Sequence, residues 1–487
     1  MTNDTLLIQG TWRASASGQT LPVVNPAYGA AFAVTALADD ADVDAAVQAA
    51  RAAFPLWAAT SGRERAQFMH QAAAIFRSRY LQDAAERLTR ENGKPLNDSL
   101  KELTYSADVI DFYADESRRI TGAHFSGDLG PTHSFVWKEP IGVVAAILPW
   151  NFPVDLLAWK IGPGLAAGCT FVIKPSELAP LSVLPFVQAF LDAGLPPGVL
   201  NVVTGAGATG AALVRHREVD KIAFTGSGPT GARIGEEAAR QFKRVTLELG
   251  GSAPLIVCDD ADLNAALAGG VRRCFSHTGQ ICISVNRIFV QRGIYERFTE
   301  RFTAAVRGLR VAADGLKEPS ADMGPLINAA ALDKTNAHLE DAIERGAKLL
   351  TGGARLTGGD YAPEGYFYAP AVLADVPAEA RVMQDETFGP IAPLAPFEDV
   401  RQAIALANST PYGLAAYVYT NDLNRAYALA RGLRFGGVGI NVNDITDIRG
   451  PFGGMKASGI GRELGETGMD AYLEAKHIRL AVRPPTS

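Results

Sequence analysis

The chain has 487 residues, 47% of them hydrophobic and 20% charged, with a formal net charge of −6 at pH 7. That length predicts two to four domains, and the acidic balance excludes the basic face that nucleic-acid binding needs. Four cysteines and seven scattered histidines form neither a disulfide framework nor a zinc pattern, which points to a reducing, cytoplasmic setting and no metal site.

The first residues, Met1-Thr-Asn-Asp-Thr-Leu-Leu, have no basic stretch ahead of an apolar core, so no secretory signal is expected. Up to about residue 120 the pattern is a short β-rich start followed by helices. Asp40 is the expected cap of a run through Val43, Ala46, Val47, Ala50 and Phe54 with helical periodicity. Thr121–Lys138 carries Gly-Asp and Gly-Pro turn signals between β-formers and reads as a hairpin. Pairing with another subunit is a common way to cover such open strand edges.

Strand and helix then alternate. Apolar β-rich runs fall at Val143–Leu148, Thr170–Lys174, Val199–Val203, Lys221–Thr225 and Val245–Leu249, with helix-length segments between them. Continuous apolar strands joined by helices predict a parallel sheet covered on both faces, with ligands outside the carboxyl ends of its strands. A second series follows: strands at Pro254–Cys258, Arg287–Gln291, Leu414–Thr420 and Val438–Asn441, helices at Ala261–Phe275 and Tyr295–Leu309. The expected fold class is therefore α/β with two doubly wound sheets. The run most like a membrane span, Ile141 to Trp159, is broken by Pro149, Asn151, Pro153 and Asp155, short of the roughly 18 apolar residues a span requires.

Five short motifs carry candidate chemistry. In "FTGSGPTG", Gly226, Gly228 and Gly231 follow a strand and open a helix, the setting in which a glycine turn holds phosphate; the alternative is a plain glycine-rich turn. Spacing alone would give Glu248, 20 residues after Gly228, to a ribose. In "VIKPSE", Lys174 and Glu177 stand at a strand end, either holding ribose hydroxyls or forming a solvated pair. In "LPWNFP", two prolines fix Trp150 and Asn151, whose amide is placed to donate to an oxyanion or to satisfy loop backbone. "LELGGSAP" sets Glu248 in an apolar strand, where desolvation would raise its pKa as a general base requires, unless it merely pairs with an arginine. "SHTGQICIS" holds Cys282, with Arg287 ahead as a cation and His277 nearby as a possible base. Cys169, Cys258 and Cys274 lie in apolar or helical runs and read as core.

The order "PWNFP", "KPSE", "FTGS…G", "LELGG", "GQICIS", "ETFGP" and "PFGGMKASGIGRELG" resembles the NAD(P)-dependent aldehyde dehydrogenase superfamily, over essentially the whole chain from "VVNPAYGA" to "GMDAYLEAKHI". The resemblance implies a cofactor-binding, Rossmann-like domain at 1–121 and 141–249 and a catalytic domain at 250–458. It further implies a small β oligomerisation flap, built from the hairpin 122–140 and the C-terminal segment 459–487 and serving a homodimer or homotetramer. Cys282 is then the nucleophile, Glu248 the general base, Asn151 the oxyanion amide, and Lys160 a lysine that stabilises the base. Lys174 and Glu177 would hold the adenosine ribose and Glu386 the nicotinamide ribose, with Phe388 near the nicotinamide. Leu148, Trp150, Ser176, Thr225, Gly226, Ser227 and Leu249 would complete the cofactor cleft.

A carboxylate at Glu177 accepts from a 2′-hydroxyl and repels a 2′-phosphate, so NAD is expected over NADP. For the substrate, the position before Lys160 is Trp159, where semialdehyde-type relatives often have an arginine. With Leu156, Ile281, Ile283 and Phe452 also in the pocket, a neutral or apolar aldehyde is expected, oxidised to its acid through a thioester. The alternative is a semialdehyde or hydroxyaldehyde, with Arg449 either meeting a substrate carboxylate or pairing with Asp447. A CoA-acylating relative would tend to lack the Glu248-type base, and a catalytically silent one would not retain Cys282, Glu248 and Asn151 together.

Overall fold

A computed structural model describes residues 4–128 and 132–482. The Gly130-Pro131 turn signal, Met1–Asn3 of the N-terminal reading and 483–487 of the predicted flap lie outside the described residues.

The first sheet has eight strands, in the order Gly459–Ile460, Arg244–Glu248, Lys221–Thr225, Val143–Ile147, Thr170–Lys174, Leu200–Val202, Leu6–Ile8, Thr11–Arg13. Its five central strands are parallel. Val143–Ile147 is buried along its whole length because both faces are covered. Val144 and Ala146 join the core that holds Val109 and Ile110, whereas Val143, Ala145 and Ile147 join the one that holds Val43, Ala46 and Val47. From Val143–Ile147 the chain first winds outward through Thr170–Lys174 and then crosses back to Lys221–Thr225. The loops after Ile147 and Thr225 therefore open at the switch point, where a crevice forms at the strands' carboxyl ends.

The second sheet has seven strands, in the order Lys348–Thr351, Ala371–Ala374, Ile391–Phe397, Val285–Gln291, Ala253–Val257, Ala415–Tyr419, Gly437–Ile440. All neighbours are parallel except the outermost pair, Lys348–Thr351 with Ala371–Ala374. The expected strands are present, with ends shifted by one or two residues. Three were not legible, among them the interior strand Ile391–Phe397, whose Pro393 and Pro396 argue against a central position.

Ala123–Ser126 and Thr132–Pro140 form the expected hairpin arms, and the C-terminal Leu473–Ala481 lies antiparallel along the second arm, from Leu473 opposite Pro140 to Ala481 opposite Thr132. Within the segment assigned to the flap, Gly459–Ile460 instead pairs with Leu247 and Glu248 at the edge of the first sheet. The first long helix, Asp40–Ala59, is capped one residue earlier than expected. Asp39 accepts from the Asp42 backbone N–H, and the Asp42 side chain returns the bond in a capping box. Among the described residues, no helix is long and apolar enough to cross a membrane.

Candidate active site

Glycines let the motifs meet. A Cβ on Gly251 would stand 2.4 Å from the Cys282 carbonyl oxygen, and one on Gly250 would stand 2.4 Å from the Glu386 carboxylate. At Gly279, where φ is +74°, it would stand 2.4 Å from the Gly389 carbonyl oxygen. The "GQIC" segment thus rests backbone against backbone on "ELGG" and "ETFGP", and the Glu386 side chain rests on the Gly250 backbone, at separations a side chain on the glycine would forbid. Gly231 serves the helix, since a Cβ there would press on Leu249 at 2.4 Å, whereas a Cβ on Gly228 would meet nothing within 4 Å among the described residues beyond its own helix turn and chain neighbours.

Cys282 and Asn151 line one cavity of about 1060 Å³, together with Leu156, Trp159, Ile281, Ile283 and Phe452. Asn151 is buried and its amide nitrogen donates to the Gln280 carbonyl oxygen, 3.1 Å away, so the amide lies against the backbone that presents Cys282. Trp159 meets Phe452 edge to face at 4.8 Å. Burial pushes the Cys282 thiol well above its ordinary value, and the nearby Glu248 and Glu386 carboxylates push the same way against Arg273. Cys282 therefore rests as a thiol, and its proton must leave before the sulfur can attack a carbonyl.

Glu248 ends its strand with 2% exposure, and neither carboxylate oxygen has a hydrogen-bond partner among the described residues. Burial raises its pKa well above the usual carboxylate range; the Glu463 charge adds to the rise, and Lys160, Arg462 and the nearby Gly454 N–H oppose it. Lys160 does not bond to Glu248. Its ammonium donates to Thr225 Oγ1 at 2.6 Å and to Glu463 Oε1 at 2.8 Å, deep under the strand ends.

Glu463 stands in "GRELG", inside a motif already singled out, but nothing local marks the glutamate as a partner of Lys160, 303 positions away. Sequence reasoning also missed the floor beneath Asn151. The helix Leu81–Asn92 ends on Gly93 in the left-handed conformation, so that Asn92 and Lys94 turn toward the loop. Asn92 Nδ2 donates to the Trp150 carbonyl at 2.7 Å, Lys94 Nζ to the Asn151 carbonyl at 2.8 Å, and Lys94 is also paired with buried Glu102 at 2.5 Å.

The cofactor candidates gather at the switch point. Lys174 is buried, with its ammonium 3.5 Å from the half-exposed Glu177 carboxylate and Ser176 buried between them. The Gly226 N–H donates to the Glu248 carbonyl at 3.0 Å, and Ser227 precedes the helix Gly228–Arg240 without capping it through its side chain. Leu148, at the end of its own strand, donates its N–H to the Lys174 carbonyl at 3.0 Å. Glu386 accepts from the Gly251 N–H at 2.8 Å, and burial pushes its pKa up to about 7. Phe388, at a φ of +57°, meets Trp150 edge to face at 5.6 Å.

Of the two places expected for Arg449, the substrate pocket or Asp447, the structure gives the second, and neither Arg287 nor His277 serves the thiol. Arg449 does not reach the cavity; it is 79% exposed and clasps Asp447 through two bonds of 3.1 and 2.9 Å. Arg287 is no partner of the thiol, because its buried guanidinium donates to the carbonyls of Ser252, Leu406 and Ala407. His277 is buried edge-on to Trp150 and Phe152, and desolvation drives its pKa well down, so it stays neutral and unsuited to form an ion pair with Cys282. Among the described residues, no three His, Cys, Asp or Glu side chains gather as a metal site.

A sequence model described as the aldehyde dehydrogenase family matches residues 12–478. The chain belongs to the aldehyde dehydrogenase family. Among relatives of this aldehyde dehydrogenase, a glutarate-semialdehyde dehydrogenase of Pseudomonas putida is 42% identical, the match covering 98% of this chain and 97% of that one. A succinate-semialdehyde dehydrogenase of Escherichia coli whose name specifies NADP(+) is also 42% identical, over 97% and 96%. The crystal structure of an E. coli NADP-dependent enzyme superposes with a TM-score of 0.95 at 42% identity, covering 98% of each chain.

Proposed function

We propose that this aldehyde dehydrogenase oxidises an aldehyde lacking a carboxylate tail, with NAD preferred, through a thioester on Cys282 that water resolves. The observation that carries the reading is the meeting of Cys282 and Asn151 in one cavity, beside a buried Glu248 with both oxygens free. Cys282 gives its proton to water in the cavity and attacks the carbonyl carbon as the thiolate, and the oxyanion receives hydrogen bonds from the Asn151 amide and the Cys282 N–H. One such donor is typically worth about 10² to 10³ in rate. Glu248, its pKa raised by burial, takes a proton from the water that attacks the thioester. Lys160 and Glu463 position it by fixing the charge beneath.

The residues at the switch point suit a dinucleotide. The helix Gly228–Arg240 begins with N–H groups that no side chain caps, and the space over Gly228 is open, as a phosphate requires. Lys174 and Glu177 would hold the adenosine ribose and Glu386 the nicotinamide ribose. Ser176, Thr225, Gly226, Ser227 and Leu249 would line the cleft, with Leu148, Trp150 and Phe388 toward the nicotinamide. A bound nicotinamide would supply the hydride acceptor for the carbon bonded to Cys282, whose oxidation turns that adduct into the thioester. Glu177 favours NAD because its carboxylate would repel a 2′-phosphate.

The absence of a carboxylate from the preferred substrate rests on Trp159 and on Arg449 being turned to Asp447. Relatives named for glutarate and succinate semialdehydes favour a second reading, helped by Arg272, an exposed residue of the cavity lining with no side-chain partner among the described residues. NADH and NADPH formation from butanal, benzaldehyde and succinate semialdehyde separates them. The first reading expects NAD with butanal or benzaldehyde to give the highest kcat/KM; succinate semialdehyde with NADP leading would replace it with the second.

The first sheet with its helices forms the cofactor-binding unit and the second the catalytic unit. The three-stranded sheet has two outer edges, along Leu473–Ala481 and Ala123–Ser126, suited to joining copies of this chain into a dimer or tetramer. All four cysteines are free, in keeping with a cytoplasmic enzyme.

A further inference from the structure

The charges lining the cavity are not all matched. Lys94 is paired with Glu102 at 2.5 Å, and Arg273 with Asp444 at 2.7 Å. Asp155, one turn before Trp159 on the helix Pro153–Ala167, has no salt-bridge partner among the described residues. Its Oδ1 accepts from the Trp159 indole N–H at 3.0 Å, and its other oxygen has no hydrogen bond among the described residues. Burial and the nearby Glu102 charge raise its pKa well above the usual carboxylate range, against the Trp159 bond and Lys94, which is the cost of leaving it without a cation.

Tyr105 lines the same cavity, and its hydroxyl is buried without a partner. The charges that bear on that hydroxyl are the carboxylates of Asp155, Asp444, Asp447 and Asp108. A buried hydroxyl without a partner costs free energy, and a half-buried carboxylate without a cation costs more. Both costs are removed by a ligand that brings positive charge and N–H donors. The aromatic faces of Trp159 and Phe452 alongside are compatible with a cation as well.

We propose that Asp155 and Tyr105 form the tail subsite of this aldehyde dehydrogenase, and that the tail they take is a protonated amine. The substrate is thus an aminoaldehyde, its ammonium held by Asp155 and Tyr105 while its carbonyl lies at Cys282. The assignment rests on the reading of Cys282 and Asn151 as the reacting end of the cavity. A carboxylate tail placed in this subsite would face Asp155 directly.

The test compares kcat/KM for 3-aminopropanal, 3-hydroxypropanal, butanal and succinate semialdehyde with saturating NAD near neutral pH, where the amine is protonated. The wild type is expected to prefer 3-aminopropanal over all three. Asp155→Asn should lower kcat/KM for the amine roughly 10- to 100-fold, the range of a lost charge-assisted hydrogen bond, bringing the amine-to-butanal ratio close to one. Tyr105→Phe, which removes a hydroxyl that bonds to nothing in the protein, should fold normally and lower the same ratio about three- to tenfold. Preference for hydroxypropanal, butanal or succinate semialdehyde in the wild type overturns the proposal, whether or not Asp155→Asn folds. So does a ratio that neither variant moves. An enzyme that turns over butanal without preferring the amine refutes the subsite alone, whereas one that oxidises no aldehyde refutes the underlying reading with it.

Discussion

The floor beneath Asn151 and the interior around Glu248 hold similar groups in opposite states. Under Asn151, Lys94 and Glu102 neutralise each other, and the lysine has hydrogen to spare for a backbone carbonyl. Around Glu248, the lysine is spent on Thr225 and Glu463, and the glutamate at the chemistry is left with two bare oxygens. Charge that is paired fixes a backbone, and charge left unpaired is free to accept a proton. The same burial that stiffens the first region tunes the second.

The sharpest way to break that contrast is at the reacting groups. Cys282→Ser should lower NADH formation by about 10⁴-fold or more, measured with any aldehyde the wild type accepts. Glu248→Gln should cut steady-state turnover by about 10² to 10⁴ yet retain a single-turnover burst of NADH, because the base acts on the thioester. A normal steady-state rate in Glu248→Gln would remove the contrast altogether.

Next in size is the paired side. Lys94→Ala strands Glu102 without its cation, and breaking a buried pair in this way costs about 3–5 kcal/mol, read as a fall in the denaturant midpoint. Glu248→Gln should show no such fall, since no hydrogen bond is lost. If the two variants are equally stable, the division between frame and chemistry is mistaken.

A smaller effect concerns pH. Glu91 accepts from the N–H groups of Leu181 and Ser182, yet full burial still holds its pKa up at about 7 against 4.5 for a free glutamate. A carboxyl raised on folding stabilises the fold while protonated. Its contribution is complete below pH 4.5 and is lost as pH rises through about 7. Over that window the stability of the wild type relative to Glu91→Gln should fall by about 3 kcal/mol, followed by chemical unfolding at stepped pH. A flat difference would mean that the carboxyl is ionised throughout.

What was legible in the chain follows the same division. Cys282, Glu248, Asn151 and Glu386 announce themselves because glycines and prolines must flank them for the backbones to approach, and those residues leave a pattern. Lys94, Glu102, Glu463 and Asp155 are ordinary members of helices and turns, and their partners are brought to them only by the fold. The strand Ile391–Phe397 was hidden for a related reason: its two prolines are acceptable only where the neighbouring strands do not need those N–H groups, which is a property of the sheet. Arg449 and Arg287 were close in sequence to the right motifs and point elsewhere, because proximity along the chain does not fix the direction of a side chain.

The contact of Gly251 with the Cys282 carbonyl and that of Gly279 with the Gly389 carbonyl have an entropic consequence. A joint made of main chain on main chain has no rotamers to freeze, so the backbones that carry Cys282, Glu248 and Glu386 are set before any substrate arrives. Immobilising rotamer-rich side chains on binding costs about 0.5–1.5 kcal/mol each, and at these joints there is none to immobilise. Binding energy from the aldehyde's tail then remains available for the reaction itself.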